Sequence, residues 1–273
     1  MKKRKRKISL ISGFHYAKLL YRSLLLILAA IMYIISNKHN TNESFKGYEK
    51  EYWLLGIIWI VYTIEMACRF FPSKLESMGC QKQFKRNFEP TGEDKPQLQS
   101  WKKTFIVVLA WLALNGILGI LYFTDIIDEG FLVLTSLFYG VCDMICILFF
   151  CPFQTWIMKN RCCNDCRIYN WDFAMMFTPF VFIPNGYTWS LLALSLALLL
   201  RWEIALKIHP ERFSEKTNAC ISCKNCEEKL CHHKTQLRAL MKKMKLAERK
   251  IKINNDKRER FCSNRSSNKR ARF

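Results

Sequence analysis

Two groups of closely spaced cysteines are the residues of this sequence whose type and spacing could do chemistry. The first group lies in NRCCNDCRIYNWD and consists of Cys162, Cys163 and Cys166. The second lies in NACISCKNCEEKLC and consists of Cys220, Cys223, Cys226 and Cys231. A C-x₂-C spacing lets two thiolates hold one ion from a tight turn. Each group therefore predicts half of a metal site.

A structural zinc site is the first chemistry that fits these cysteines. Tetrahedral coordination would take four thiolates, two from each group: Cys163, Cys166, Cys223 and Cys226. A larger site would add Cys162, Cys220 and Cys231. Since imidazole is a common zinc ligand, His232 and His233 could supply a nitrogen.

Other chemistries fit as well, because spacing alone does not determine the metal. The run from Cys220 to Cys231 approximates a ferredoxin motif, although its final gap is one residue longer and His232 replaces the proline. An iron–sulfur cluster there would make the chain a membrane electron carrier. Alternatively, Cys163 and Cys166 could cycle as a redox dithiol, or the cysteines could bind nothing.

Six apolar blocks must position the cysteines, and each has about the length that crosses a hydrocarbon core as a helix. They are Leu19–Ser36, Tyr52–Phe70, Thr104–Phe123, Gly130–Cys151, Ile168–Pro184 and Tyr187–Leu206. Backbone groups in lipid must be satisfied within the segment, so the predicted fold class is an all-α integral membrane protein with six transmembrane helices. The fifth block is short and contains Pro179, which predicts a kinked span or a re-entrant hairpin.

Charge predicts the orientation of these helices. The chain contains 43 Lys and Arg against 22 Asp and Glu, a formal net charge of +21. Most basic residues lie before the first block, in the 71–103 loop and after the last block, which predicts cytoplasmic N- and C-termini. The same charge predicts contact with an anionic inner leaflet, and without a nucleic-acid-binding motif no nucleic acid is expected. The first helix is expected to be retained, with Arg22 reaching back to the inner surface.

The fifth and sixth blocks are predicted to form a helical hairpin over residues 168–206. A hairpin returns the chain to the side on which it began, so the two cysteine groups are expected to be neighbours on the cytoplasmic face. Thiols are kept reduced there, which favours a shared metal ion over disulfides.

Several ionisable residues lie inside the apolar blocks, where a charge is expensive, and Glu65, Asp143, Arg201 and Glu203 form the candidate polar group. Asp143 and Arg201 lie at similar depth and are predicted to pair. Cys142, Asp143 and Cys146 share one helical face. This group predicts either a polar cavity, as a small transporter would need, or an interhelical salt bridge with side chains reaching the interface.

Composition divides the chain into four segments. A basic N-terminus (1–18) precedes the membrane domain (19–207), which includes an inner cysteine loop (152–170). A cysteine-rich segment (208–234) and a basic tail (235–273) follow. The 71–103 stretch is proline-containing and of mixed charge, and is predicted to be a linker. The tail has one short apolar helical stripe, which predicts contact with the inner leaflet or a protein partner. No catalytic motif is present, which argues against an enzyme.

The stretches KNRCCNDCRIYNWDFAMMFTP and HPERFSEKTNACISCKNCEEKLC carry a resemblance. With their NRCCxxCRIxNWD and CxxCxxCxxxxC motifs, they resemble a family of uncharacterised polytopic membrane proteins of anaerobic Gram-positive bacteria. The resemblance covers about residues 151–233. It implies a multi-pass protein of the bacterial plasma membrane and no particular activity.

Overall fold

The computed structural model describes residues 10–39, 52–74, 76–160, 162, 164–222, 224–226 and 244. The fold is all-α. Its α-helices are α1 (Leu10–His39), α2 (Tyr52–Arg69), α3 (Met78–Gln81), α4 (Trp101–Phe123), α5 (Glu129–Leu148), α6 (Asp172–Phe177) and α7 (Gly186–Ile208). Short 3₁₀ turns cover Lys85–Asn87, Tyr169–Trp171, Thr178–Phe182, Pro210–Phe213 and Ala219–Ile221, and a π-helical turn covers Phe153–Met158.

Three of these helices are long and apolar enough to cross a membrane: α1 over Leu10–Ile35, α4 and α5. These three helices also carry many large apolar side chains that are exposed on the surface of the protein. On α1 the exposed residues form a stripe at helical spacing: Leu20, Leu24, Ile27, Ile31 and Ile34. A contiguous exposed apolar surface of this kind suits contact with lipid. The three candidate spans indicate a multi-pass membrane protein.

The apolar blocks and the observed helices agree at most positions. The second and sixth blocks are helical as α2 and α7, and the third and fourth as α4 and α5. The first helix begins at Leu10 rather than Leu19, so residues 10–18 belong to it rather than to a separate basic terminus.

The fifth block is divided. Helix α6 ends at Phe177 and continues as a 3₁₀ turn with Pro179 in its first positions. Proline lacks an N–H and its ring clashes with the preceding turn, so a regular α-helix cannot pass through this point. Asn185 then caps α7, where its side chain accepts from Tyr187 N at 3.0 Å. The segment is therefore interrupted near Pro179, as its proline predicted.

The predicted fold-back over residues 168–206 is confirmed by contacts near its open end. The Trp202 indole donates to the Arg167 carbonyl at 2.8 Å. The Trp171 indole donates to Glu203 Oε1 at 2.9 Å. The start of the α6 segment and the end of α7 therefore lie together.

Helices α2, α5, α6 and α7 enclose the main core. Tyr62 and Phe177 pack edge to face with ring centroids 5.3 Å apart. Close approach requires glycine at position 140, because a Cβ atom there would lie 2.7 Å from Met176 Sδ and 2.9 Å from Tyr62 Oη. Gly140 thus sets the distance at which α5 meets α2 and α6.

The 71–103 stretch is not the linker that its composition predicted. Residues 83–97 contact residues 212–219, and Gln81, Lys82 and Asn218 are fully buried. Backbone bonds join the two segments, from Thr91 N to Thr217 O at 3.2 Å and from Ala219 N to Glu89 O at 2.8 Å. These bonds between segments distant in sequence satisfy backbone N–H and C=O groups that a linker would expose to water. Residues 76–99, 162–170 and 209–226 are called the polar cap below.

Candidate functional site

Four of the seven predicted metal ligands lie in the described part of the polar cap: Cys162, Cys166, Cys220 and Cys226. Cys163, Cys223 and Cys231 lie outside the described residues, as do His232 and His233. Within the described ranges, no three Cys, His, Asp or Glu side chains are arranged to hold a metal ion. The described cysteines alone therefore do not form a metal centre, and the remaining predicted ligands stay a prediction.

The described parts of the two cysteine-containing segments nevertheless meet at one contact. Asn164, between the predicted ligands Cys163 and Cys166, is buried and its amide Nδ2 lies 3.9 Å from Cys226 Sγ. This contact joins residues 62 positions apart in sequence. It follows from the fold-back of α6 and α7, which carries the second group to the first.

Lys82 holds the first cysteine loop in place. Its Nζ donates to the Asn164 carbonyl at 2.7 Å and to the Cys166 carbonyl at 3.1 Å. The ammonium also lies 5.3 Å from the Trp202 ring centroid and 5.5 Å from that of Phe213. Burial lowers the pKa of Lys82 to about 8. Two carbonyls and two aromatic faces are thus what stabilise this buried cation.

Gln99 adds a second clamp on the same loop. Its Nε2 donates to the Asp165 carbonyl at 3.0 Å, and its Oε1 accepts from Arg167 N at 3.3 Å. Arg167 also pairs with Glu203 on α7 at 2.8 Å. Burial raises the pKa of Asp165, and the nearby Lys82 opposes that shift. The backbone from 164 to 167 is therefore held by segments distant in sequence.

Asn218 organises the second cysteine group. Its Oδ1 accepts from Cys220 N at 3.0 Å, and its Nδ2 donates to the Arg212 carbonyl at 2.9 Å. Burial raises the pKa of the Cys220 thiol, and the Glu89 carboxylate raises it further. A cation bound there would have to displace a proton held more tightly than usual.

The predicted pairing of Asp143 with Arg201 is wrong. Asp143 binds Arg22 of α1, whose Nη1 lies 3.1 Å from Asp143 Oδ2. Arg201 instead donates to the Phe70 carbonyl at 2.6 Å and lies over the rings of Phe70 and Phe84. Equal depth along two helices did not place the two side chains on facing sides.

Arg22 does not reach the inner surface as predicted. It is 1% exposed and its Nη2 lies 2.5 Å from Glu65 Oε2. Its Nη1 also donates to the Gly140 carbonyl at 3.0 Å. Arg22, Glu65 and Asp143, called the arginine triad below, join α1, α2 and α5. Of the two readings of the intramembrane charges, the interhelical salt bridge is present here.

A second set of buried charges lies beside the arginine triad. Lys18 pairs with Glu76 at 2.7 Å, and Arg69 Nη1 donates to Asp172 Oδ1 at 2.7 Å. Arg69 Nε also lies 3.9 Å from Glu76 Oε2. Burial alone would raise the pKa of Glu76, but Arg69 and Lys18 together lower it to about 2. These pairs tie α1 and α2 to the polar cap and to α6.

A cavity of about 140 Å³ lies against Asp143 and Asp172. Sulfur-containing residues line much of the rest of the cavity. They belong to α5, to the residue stretch just after α5, to the polar cap and to α6: Cys142, Cys146, Cys151, Cys166, Met175 and Met176. The shared helical face of Cys142, Asp143 and Cys146 does face this space. A cavity is therefore present beside Asp143, but apolar and sulfur-containing side chains, rather than polar ones, make up most of its lining.

Comparison with protein-family models, with curated proteins and with solved structures found no match to this chain.

The sequence patterns do not identify several residues of these sites. Lys82 is one of many charged residues in the 71–103 stretch. Lys18 and Arg22 lie near the basic N-terminus, which predicts the inner surface for them, although their spacing of four places them on one helical face. Asp172, in the NWD that follows the first cysteine group, falls within the fifth apolar block. A signal was present, because a charge inside or beside an apolar run needs a partner.

Proposed function

We propose that this chain is a multi-pass protein of the bacterial plasma membrane whose two cysteine groups bind one structural zinc ion on the cytoplasmic face. Six crossings with both termini inside follow from the positive-inside pattern of Lys and Arg. The basic segments contact the anionic inner leaflet, and the tail helix lies on it or binds a protein partner. The zinc ion ties the cysteine-rich segment to the hairpin.

The contact between Asn164 Nδ2 and Cys226 Sγ, at 3.9 Å, is the observation that supports this function. This contact joins Asn164, which lies inside the first C-x₂-C motif, to Cys226, which is the last residue of the second. Thiolates from both could reach one tetrahedral ion: Cys163, Cys166, Cys223 and Cys226. Cys162, Cys220 and Cys231 are the further ligands of a larger site.

Metal analysis tests the zinc proposal. The protein is purified without oxygen, and bound metals and the visible spectrum are measured for the wild type, Cys226→Ser and Cys68→Ser. Cys68 is exposed on α2 and serves as the matched control. About one zinc per chain, lost in Cys226→Ser and kept in Cys68→Ser, supports the proposal. A brown protein with iron and sulfide indicates the iron–sulfur electron carrier instead, and a protein without metal contradicts both.

A small transporter that uses the polar groups around Asp143 is the second candidate. The cavity of about 140 Å³ beside Asp143 and Asp172 favours it, because a carried ion or small molecule needs such a space. Flux of ions or protons into proteoliposomes, lost in Asp143→Asn, would support a transporter. Equal flux with the wild type and with empty liposomes would contradict it.

A further inference from the structure

The buried ionisable residues of the membrane domain carry more negative than positive charges if all of them are ionised. Among the described residues, two adjacent sets of ion pairs together hold three cations and four carboxylates: Lys18, Arg22 and Arg69 against Glu65, Glu76, Asp143 and Asp172. A net charge withdrawn from water and left uncompensated is very costly. The two sets together must therefore acquire one positive charge or release one negative one.

The contacts locate the imbalance. Lys18 and Arg69 are shared by Glu76 and Asp172, so this part holds two positive and two negative charges. The arginine triad holds one guanidinium against two carboxylates, at 2.5 Å from Glu65 and 3.1 Å from Asp143. The excess negative charge thus belongs to the triad.

Unpartnered polar atoms surround the triad. Glu65 Oε1, Tyr62 Oη and both ring nitrogens of His15 are buried without a hydrogen-bond partner in the part of the chain that the structure describes. Tyr62 and His15 are 0% and 4% exposed. The Arg22 guanidinium lies 5.4 Å from the centre of the Tyr62 ring. Buried polar atoms are almost always hydrogen-bonded, so this site has room for a further proton or ordered water.

We propose that the arginine triad is a proton-binding site, which holds one exchangeable proton between Glu65 and Asp143. A proton restores neutrality with a single oxygen ligand, whereas a metal ion would need several oxygens around a space that Arg22 already fills. Asp143 is the residue that exchanges the proton with the surroundings, because its side chain is 17% exposed and borders the cavity. The cavity extends from Asp143 to Cys166 of the polar cap, so it gives the side on which the proton exchanges.

Other titratable and charged groups face the triad from each neighbouring element. Helix α1 contributes His15 and Lys18, and α2 contributes Tyr62 and Arg69. The remaining elements contribute Glu76, Cys142, Cys146 and Asp172. Any test must therefore isolate the two carboxyls of the triad. The site lies apart from the proposed zinc ligands, so the inference stands whether or not zinc binds.

Infrared difference spectroscopy of the purified, full-length protein tests the site. The C=O stretch of a protonated carboxyl is followed between about pH 5 and pH 9, a range in which ordinary carboxyls are ionised. The variants are Glu65→Gln and Asp143→Asn, and the control is Glu93→Gln at an exposed position. We expect a band of about one protonated carboxyl per chain that disappears with rising pH in the wild type and in Glu93→Gln. Each triad variant should lose this band, because one carboxylate then balances Arg22.

A wild-type protein without a titrating carboxyl band would overturn the proposal, and so would a band that persists in both triad variants. If one triad variant fails to fold, the wild type is compared by thermal unfolding with the triad variant that does fold. A proton held in the folded state and released in the unfolded state makes the wild type lose stability relative to that variant as pH rises through this range. A stability difference that stays flat or changes in the opposite sense would contradict the site.

Discussion

Lys82 and Glu76 show how single buried charges determine the structure of the polar cap. Lys82 has its ammonium group on two backbone carbonyls of the cysteine loop, at 2.7 and 3.1 Å. Glu76 accepts from Lys18 at 2.7 Å and lies near Arg69. Each group is far from water, so its partner replaces the lost hydration. Removal of either charge leaves a buried partner unsatisfied.

Lys82→Met tests the first of these contacts. Methionine has a similar length but cannot donate, so the carbonyls of Asn164 and Cys166 lose their partner. We expect a loss of about 1–3 kcal/mol in unfolding free energy, measured by denaturant titration in detergent. Lys95→Met, at an exposed position of the same segment, should change stability by less than about 0.5 kcal/mol. Equal stability of the two variants would show that the loop does not depend on Lys82.

Glu76 predicts a specific acid sensitivity. Its pKa in the folded protein is about 2, below its ordinary value of 4.5. The stabilisation that it contributes is therefore complete above about pH 4.5 and is lost as pH falls toward about pH 2. The loss amounts to roughly 3 kcal/mol at most. Thermal unfolding over this range should show a smaller acid-dependent loss for Glu76→Gln than for the wild type, and parallel curves would contradict the assignment.

At the scale of elements, the hairpin and the crossing of α5 with α2 bring the sites together. The hairpin carries the second cysteine group back to the first, as the contact of Asn164 with Cys226 shows. At the crossing, the Gly140 carbonyl accepts from Arg22 Nη1 at 3.0 Å. A close helix approach and a buried charge thus depend on the same residue.

Gly140→Ala tests this crossing. The new Cβ would meet Met176 Sδ and Tyr62 Oη at less than 3.0 Å, so we expect a loss of about 1–3 kcal/mol. Gly116→Ala on α4 is the matched control, because no atom lies within 4 Å of a Cβ placed there. Alanine at 116 should be neutral or stabilise by up to about 1 kcal/mol, owing to its higher helix propensity. The two thermal unfolding curves distinguish these outcomes, and a tolerated Gly140→Ala would argue against close packing.

At the scale of the whole molecule, the apolar surface and the charge distribution together predict a membrane orientation. The candidate spans α4 and α5 are joined by a short turn that includes Asp125 and Asp128. The many basic residues of the chain lie elsewhere, near the polar cap and the two ends. The positive-inside rule therefore predicts that this turn faces outward.

Reporter fusions test the orientation in cells. A phosphatase that is active only outside the cytoplasm should be active when inserted after Asp125 and inactive when fused after Phe273. A fluorescent protein that matures only in the cytoplasm should give the opposite pattern and serves as the control. Both positions on one side of the membrane would contradict the six-span proposal and, with it, a cytoplasmic zinc site.

The apolar blocks predicted most of the long helices and the fold-back, because the length and continuity of an apolar run are properties of the local sequence. Spacing likewise predicted that Asp143 shares a face with Cys142 and Cys146. The prolines of 71–103 led to a wrong prediction, since polar composition cannot reveal that Lys82 and Asn218 find partners in remote segments.

By itself, the sequence determined the all-α character, the apolar spans and the two C-x₂-C groups, because each depends on neighbours along the chain. Only the tertiary structure decided that Arg22, rather than Arg201, meets Asp143, and that Asn164 lies against Cys226. Burial of charge makes such partners obligatory, yet their choice depends on which helix faces turn toward each other. That rotation is set by packing across the whole core, at contacts such as Gly140 against Tyr62 and Met176.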